Sequence, residues 1–114
     1  GDSATEPYIV THNLLLAHAA GYRLYESKYK EKQQGVVGIT IVTFYLLPYS
    51  SETADVDAAQ RALDFMYGWY MDPITFGHYP RNMVDLVGSR HAQELLRKME
   101  SLLVNRFLLA VYVS

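Results

Sequence analysis

The chain has 114 residues, half of them apolar, with a formal net charge of −2 and no cysteine. This length allows one domain, and the composition is typical of a globular core rather than of disorder. The charge excludes the basic surface of a nucleic-acid-binding protein, the missing thiols exclude disulfides and cysteine-ligated metals, and no apolar run reaches the roughly 20 residues of a membrane-spanning helix.

The first predicted element is an amphipathic helix that begins at Pro7. Proline suits the first turn of a helix, where a backbone N–H has no partner within the helix. Apolar and aromatic side chains then recur at gaps of three and four residues, at Leu15, Ala19, Tyr22, Tyr25 and Tyr29. The pattern predicts a helix that ends at Gly35, a residue typical of helix ends.

The second predicted element is a strand, VVGITIVTFYLL, from Val36 to Leu47. The segment is uncharged, rich in β-branched residues and apolar almost throughout. This pattern is typical of a strand buried on both faces in a parallel sheet covered by helices. Pro48 is its predicted end.

A second helix is predicted after Pro48, with Ser50, Ser51 and Thr53 as candidate capping residues for its first turn. Its predicted inner face is lined by Ala59, Ala62, Met66 and Trp69. Asp72-Pro73 is its predicted end, because the residue before a proline avoids the helical region. The remaining predicted elements are a short turn over Met83 to Val87, a third helix over Ala92 to Leu102 and a second buried strand over Phe107 to Val113.

This order of elements predicts an α/β fold with right-handed crossovers. A complete (β/α)8 barrel takes about 250 residues. The chain is therefore predicted to form a partial (β/α)8 TIM-barrel slice with about two parallel strands and three or more helices.

Two segments resemble plant β-glucosidases of glycoside hydrolase family 1. AQRALDFMYGWYMDPITFGHYPRNM, residues 59–83, resembles the segment after the fifth barrel strand, and SATEPYIVTHNLLLAHAAGYRLYESKYKEKQQGVVGIT, residues 3–40, resembles the segment upstream of it. The resemblance implies that residues 1–114 are a fragment of a family 1 barrel domain, with a divergent tail from about residue 90. It implies hydrolysis of β-glucosides by double displacement, without a cofactor.

The catalytic pair implied by this resemblance is missing from the sequence. The family's two glutamates lie in an Asn-Glu-Pro motif and a Glu-Asn-Gly motif, and neither occurs here. Thr5-Glu6-Pro7 echoes the first motif, but the family has a similar Ser-Ala-Thr-Glu-Pro-Tyr run that leads into the next helix. Glu6 is therefore interpreted as a carboxylate at a helix start, and no catalytic residue is assigned. A retaining glycosidase, which keeps the configuration of the anomeric carbon, needs two carboxylates about 5–5.5 Å apart. The chain alone is therefore predicted to be inactive.

Two tyrosines are candidate substrate-binding residues. The final residues, RFLLAVYVS, resemble the family's sixth strand, in which Tyr112 matches a tyrosine that hydrogen-bonds the nucleophile, while Ala110 replaces an expected asparagine. Tyr45 ends the first predicted strand, and this end of a barrel strand faces the active site. Tyr45 could stack on the aglycone of a β-glucoside or could pack in the core, and both interpretations stay open.

No metal site is predicted from the four histidines. His12 and His18 are six residues apart on one predicted helix and point away from each other. His78 and His91 lie in separate loops without a ligand cluster, whereas zinc needs three or four converging ligands. Structural or solvent-facing roles are favoured for all four.

Two alternatives to an enzyme remain. A slice of a barrel would leave strand edges unpaired, which favours a non-catalytic interaction module that self-associates through them. A gene remnant is the other alternative. Family members are often secreted, vacuolar or plastid proteins, but no targeting signal is visible in this chain, so its compartment is not assigned.

Overall fold

A computed structural model of the chain describes residues 1–87. These residues form five α-helices and one π-helical turn. The elements are α1 (Glu6–Lys28), α2 (Lys30–Gln33), α3 (Thr53–Leu63), the π turn (Asp64–Gly68), α4 (Trp69–Phe76) and α5 (Arg81–Val87). An irregular segment of residues 34–52 joins α2 to α3.

The predicted α/β fold is wrong for residues 1–87, which contain helices and no strand. The segment from Val36 to Leu47, predicted as a buried strand, has no regular structure, and Val36 and Val42 are 83% and 80% exposed. A strand needs a neighbour to bond its N–H and C=O groups. Within residues 1–87 no backbone hydrogen bond joins residues 36–48 to another segment. The described chain is therefore not a TIM-barrel slice with two parallel strands.

Two other predicted elements cannot be compared with the structure. The third helix, Ala92 to Leu102, and the second strand, Phe107 to Val113, lie outside the described residues.

Helix α1 confirms the prediction of a helix with Pro7 in its first turn. Upstream, the Asp2 carboxylate accepts hydrogen bonds from the Ala4 N–H and the Thr5 hydroxyl, each at 2.9 Å. These bonds lower the pKa of Asp2, because they favour the ionised carboxylate. Although α1 has 23 residues, no helix within residues 1–87 has the combination of length and hydropathy needed to cross a membrane.

The end of the first helical region differs slightly from the prediction. Helix α1 ends at Lys28, and the single turn of α2 follows it. The backbone then becomes left-handed at Gln34, with φ of 52°. Gly35 comes one residue later, and its N–H donates to the Tyr25 hydroxyl oxygen at 2.7 Å. The side chain of Tyr25 therefore fixes the chain direction after the helix.

The second helical region is longer than predicted. It continues from residue 53 through the π turn and through Pro73 to Phe76. The prediction that Asp72-Pro73 closes it is wrong, because burial of Pro73 and Ile74 outweighs the preference of a pre-proline residue for extended conformations. The helix ends at Gly77, which has φ of 80° and donates its N–H to the Pro73 carbonyl at 3.1 Å. Glycine adopts this left-handed conformation without steric cost.

The core forms where α1, α4, α5 and the loop of residues 77–80 meet. Its buried apolar residues are Leu15, Ala19, Ile74, Tyr79, Met83 and Val87. Gly68 in the π turn is buried under this loop: a Cβ atom on it would lie 2.9 Å from the Pro80 Cγ. The missing side chain therefore allows the loop to approach the helix. No residue of α1 beyond Ala19 is fully buried, so the predicted inner stripe holds for its first half only.

Candidate functional site

The buried polar residues of the described chain are neighbours on α1, at Thr11 and His12. Nδ1 of His12 lies 3.2 Å from the hydroxyl oxygen of Tyr79. Oγ1 of Thr11 lies 3.3 Å from the hydroxyl oxygen of Tyr70. Both contacts join α1 to later parts of the chain. We call these four residues the polar cluster.

His12 is buried, but only one of its two ring nitrogens has a hydrogen-bond partner among the described residues. His12 is 6% exposed. This burial lowers the pKa of the imidazole, because the charged imidazolium loses more hydration than the neutral ring. Its second ring nitrogen, Nε2, is buried and has no hydrogen-bond partner within residues 1–87. His12 is therefore a buried core residue in contact with Tyr79.

An aromatic group borders the polar cluster. The ring of Trp69 lies 5.0 Å from that of Tyr8 and 5.9 Å from that of Tyr70, centroid to centroid. Trp69 packs against the core as predicted, and Tyr70 packs beside it, whereas Tyr67 is 40% exposed. The group is thus a packing contact between α1 and α4.

Two carboxylates lie near each other on the second helical region. Asp64 accepts hydrogen bonds from Gln60 Nε2 at 2.8 Å and from Asn82 Nδ2 at 2.6 Å. Burial raises the pKa of Asp72, the charge of Asp64 raises it further, and His78 opposes the change. Because both oxygens of Asp64 accept hydrogen bonds from amides, this residue is a structural acceptor.

Of the residues singled out from the sequence, the structure describes Glu6 and Tyr45, which lie on separate parts of the chain. Glu6 is exposed in the first turn of α1, as expected for a carboxylate at a helix start. Tyr45 is 78% exposed on the irregular segment. Tyr112 lies outside the described residues. A sugar site formed by Tyr45 and Tyr112 therefore remains a prediction.

Two cavities lie along the irregular segment. The larger, of about 420 Å³, is lined by Leu14, Leu15, Ile39, Thr40, Ile41, Val42 and Tyr70. The smaller, of about 200 Å³, is lined by Tyr22, Tyr25, Lys30, Gly35, Val36 and Val37. Neither lining contains a carboxylate. These cavities can accommodate an apolar group, but they lack the pair of carboxylates that a retaining glycosidase uses.

Metal binding finds no support in the described part of the chain. Within residues 1–87, no three histidine or carboxylate side chains come close enough together to hold an ion. His12, the most buried of the described histidines, faces a tyrosine hydroxyl.

The polar cluster was not identified from the sequence, although the helical period contains a signal for it. Thr11 and His12 precede the buried Leu15 by four and three residues, so they lie on the same face of the helix. Their partners on the other elements are more than fifty positions away in the sequence, and no local pattern points to them.

Comparisons with known proteins place this geometry in context. The family model described as Glycosyl hydrolase family 1 matches residues 1–107. Furcatin hydrolase of Viburnum furcatum is 55% identical over 93 residues, which are 82% of this chain and 17% of that protein. The cyanogenic β-glucosidase of Trifolium repens is 56% identical over 90 residues, 79% of this chain and 21% of that protein. The chain spans about a fifth of the length of these relatives.

A solved structure agrees with these sequence matches. The crystal structure of the rice β-glucosidase Os3BGlu6 is similar to this chain with a TM-score of 0.76 and 47% sequence identity. The match covers 79% of this chain and 19% of that chain.

Proposed function

Because the chain belongs to glycosyl hydrolase family 1, we propose that its function is that of a plant β-glucosidase, the hydrolysis of O-glycosyl bonds in β-glucosides. We further propose that residues 1–114 alone do not catalyse this reaction. The identity of 50% or more to several plant β-glucosidases supports the first part. The missing catalytic motifs support the second.

The chemistry explains why the missing motifs matter. Retaining hydrolysis needs one carboxylate to attack the anomeric carbon and a second to protonate the leaving oxygen, about 5–5.5 Å apart. Of the described carboxylates, Glu6 stands exposed at a helix start and Asp64 is bonded to two amides. Neither described cavity contains a carboxylate. Residues 1–87 therefore supply packing and surface to a glucosidase rather than the reacting groups.

An assay of the purified 114-residue chain with an aryl β-glucoside tests the absence of catalysis. We expect no release of the aryl group above the buffer rate, for the wild type and for Glu6→Gln alike. Glu31→Gln, at an exposed position of α2, controls for contaminating enzyme. Hydrolysis that Glu6→Gln abolishes and Glu31→Gln preserves would establish Glu6 as catalytic and overturn the proposal.

Substrate contact through Tyr45 and Tyr112 is part of the proposal. Tyrosine rings bind sugars and aglycones through their apolar faces, and the exposed ring of Tyr45 is accessible to a ligand. The test is a titration of the chain with an aryl β-glucoside, observed by NMR. We expect Tyr45→Ala and Tyr112→Ala to weaken binding, and Tyr49→Ala, at a neighbouring position that is 98% exposed, to leave it unchanged. Equal effects of all three variants would remove the two tyrosines from the site.

A second candidate function is a non-catalytic interaction module that self-associates. No Asp, Glu, Lys or Arg occurs from residue 33 to residue 51, and natural edge segments usually carry charge to prevent pairing. Light scattering after size-exclusion chromatography should show a mass that rises with concentration. Val42→Lys should lower this mass, whereas Val56→Lys on the exposed surface of α3 should not. A monomer at all concentrations would exclude this candidate.

A further inference from the structure

We propose that His12 is a pH-sensitive clamp whose neutral imidazole holds the loop of residues 77–80 against α1, and whose protonation releases that loop together with α5. This property is independent of glycoside hydrolysis. It concerns the stability of one contact in the core rather than the binding of a substrate.

The first observation is the contact itself. His12 and Tyr79 are 67 positions apart in the sequence, and their side chains meet at 3.2 Å. The two residues are 6% and 1% exposed. If the hydrogen bond breaks while both side chains stay buried, water cannot reach the freed groups to replace it. In the apolar surroundings of the core, a hydrogen bond of this kind fixes the two elements relative to each other.

The second observation is the unpartnered nitrogen of the same ring. A neutral imidazole has one N–H donor and one acceptor nitrogen, whereas the protonated ring has two donors. Nδ1 faces Tyr79, and Nε2 is buried without a partner among the described residues. In the protonated ring both nitrogens are donors, so Nε2–H has no described acceptor and the ring carries a positive charge inside the core, where both are strongly unfavourable. The ring can relieve this cost by moving toward water, which breaks the contact with Tyr79.

The third observation is the lack of a compensating charge. Ionisable groups on the elements around His12 include Glu6 and Tyr8 on α1, Tyr70 and Asp72 on α4, His78 and Tyr79 in the loop, and Arg81 and Asp85 on α5. Asp72 interacts with Asp64 and His78, and Arg81 pairs with Asp85 at the exposed surface. Within residues 1–87, His12 forms no ion pair, and burial is the cause that lowers its pKa. No described carboxylate therefore stabilises the imidazolium.

The loop and α5 form one unit, so release of Tyr79 affects both. The Pro80 carbonyl accepts the N–H groups of Met83 and Val84 at 3.0 and 3.1 Å. These two bonds belong to the first turn of α5. Met83 and Val87 bury the helix in the core. When Tyr79 leaves its position, the start of α5 moves with it.

The sign of the effect follows from the lowered pKa. An unfolded or released His12 binds a proton near its ordinary pKa of 6.5, whereas the buried ring binds one only at lower pH. As the pH falls below 6.5, the released state therefore gains protons first and becomes more favourable. The clamp is closed above this pH and opens below it.

The test follows the complete 114-residue chain from pH 8 to pH 4.5 by NMR, near-ultraviolet circular dichroism and the fluorescence of Trp69. We expect the His12 ring to titrate below 6.5 and the aromatic signals to change with the same midpoint, while the far-ultraviolet helical signal is largely kept. His12→Gln, which keeps a neutral amide at this position that does not titrate in this range, should abolish the change at that midpoint. His18→Gln, on the same helix, should leave it unchanged.

Three results would overturn the proposal. The first is an NMR pKa of His12 at or above 6.5. The second is the same midpoint in the wild type and in His12→Gln. The third is loss of the helical signal at the midpoint, which would indicate global unfolding instead of a local release. If His12→Gln does not fold, the pKa of His12 in the wild type and the comparison of its midpoint with the aromatic signals decide the question.

Discussion

Residues 36–49 and residues 69–87 are both apolar and rich in aromatic side chains, yet they are buried to very different degrees. Tyr79 and Met83 in the second region are almost completely buried, whereas Tyr45 and Tyr49 in the first are 78% and 98% exposed. A helix bonds its own backbone groups, and its period places apolar side chains on one face. A strand bonds its backbone only to a neighbour. Whether an apolar segment of this chain is buried therefore depends on whether its backbone N–H and C=O groups are hydrogen-bonded, as well as on its hydrophobicity.

Protease susceptibility should show the largest difference between the two regions. We expect chymotrypsin to cleave first after Phe44, Tyr45 or Leu47, at more than about 100 times the rate after Tyr79, because cleavage in the core needs local opening. Mass spectrometry of early digestion products measures these rates. Comparable early cleavage within residues 69–87 would mean that the helical core is not stable.

Truncation of a core leucine should have the next largest effect. Leu15 is 1% exposed and its neighbour Leu14 is 56% exposed on the same helix. Leu15→Ala should lower the free energy of unfolding by about 3 kcal/mol, because it leaves a cavity. Leu14→Ala should lower it by less than about 1 kcal/mol. Urea unfolding measures both, and equal losses would contradict the packing of α1 described above.

A methyl group added to glycine should have effects of opposite sign at two positions. At Gly68 the new Cβ meets Pro80 at 2.9 Å, whereas at Gly21 it meets nothing within 4 Å. Gly68→Ala should destabilise the fold by about 1–3 kcal/mol through overpacking. Gly21→Ala should stabilise α1 by about 0.5–1 kcal/mol. Thermal unfolding of both variants measures the difference, and a stabilising Gly68→Ala would show that the loop does not approach the π turn closely.

The smallest expected effect belongs to Asp72. Burial and the charge of Asp64 raise its pKa above 3.8, so ionisation favours the unfolded state, and this cost disappears as the pH falls through the raised pKa. Asp72→Asn should raise the free energy of unfolding at pH 7 by less than about 1 kcal/mol, since the site is only partly buried, and should give no gain near pH 3. Asp85→Asn, on the exposed surface, is the control and should give no gain at either pH.

Helical elements were the predictable part of this fold. Pro7 and the spacing of Leu15 and Ala19 predicted α1 correctly, because the helical period depends on sequence positions only. The strand prediction for Val36 to Leu47 was wrong. The apolar, β-branched composition of this segment suits a buried strand, but composition does not show whether a neighbouring strand is present to form hydrogen bonds with it. The helix end at Asp72-Pro73 failed because a local preference was weaker than the burial of Ile74.

The site was less predictable than the fold. The two missing glutamate motifs could be established from the sequence, and Glu6 has the expected position at a helix start. The contact between His12 and Tyr79 could not be predicted from the sequence, because it depends on how two distant segments pack. The spacing of His12 from Leu15 was enough to place it on the inner face of α1. Nothing in the local sequence identified Tyr79 as its partner.

The separation of 67 positions between the partners of the core contact has a consequence for folding kinetics. Single helices form within about a microsecond, but this core gains its contacts only when the two ends of a long loop meet. The encounter of α1 with residues 69–87 should therefore set the folding rate. Because each doubling of a flexible loop costs only about 0.6 kcal/mol, insertions between α2 and α3 should slow that encounter little, which makes this segment a tolerant place for changes in length.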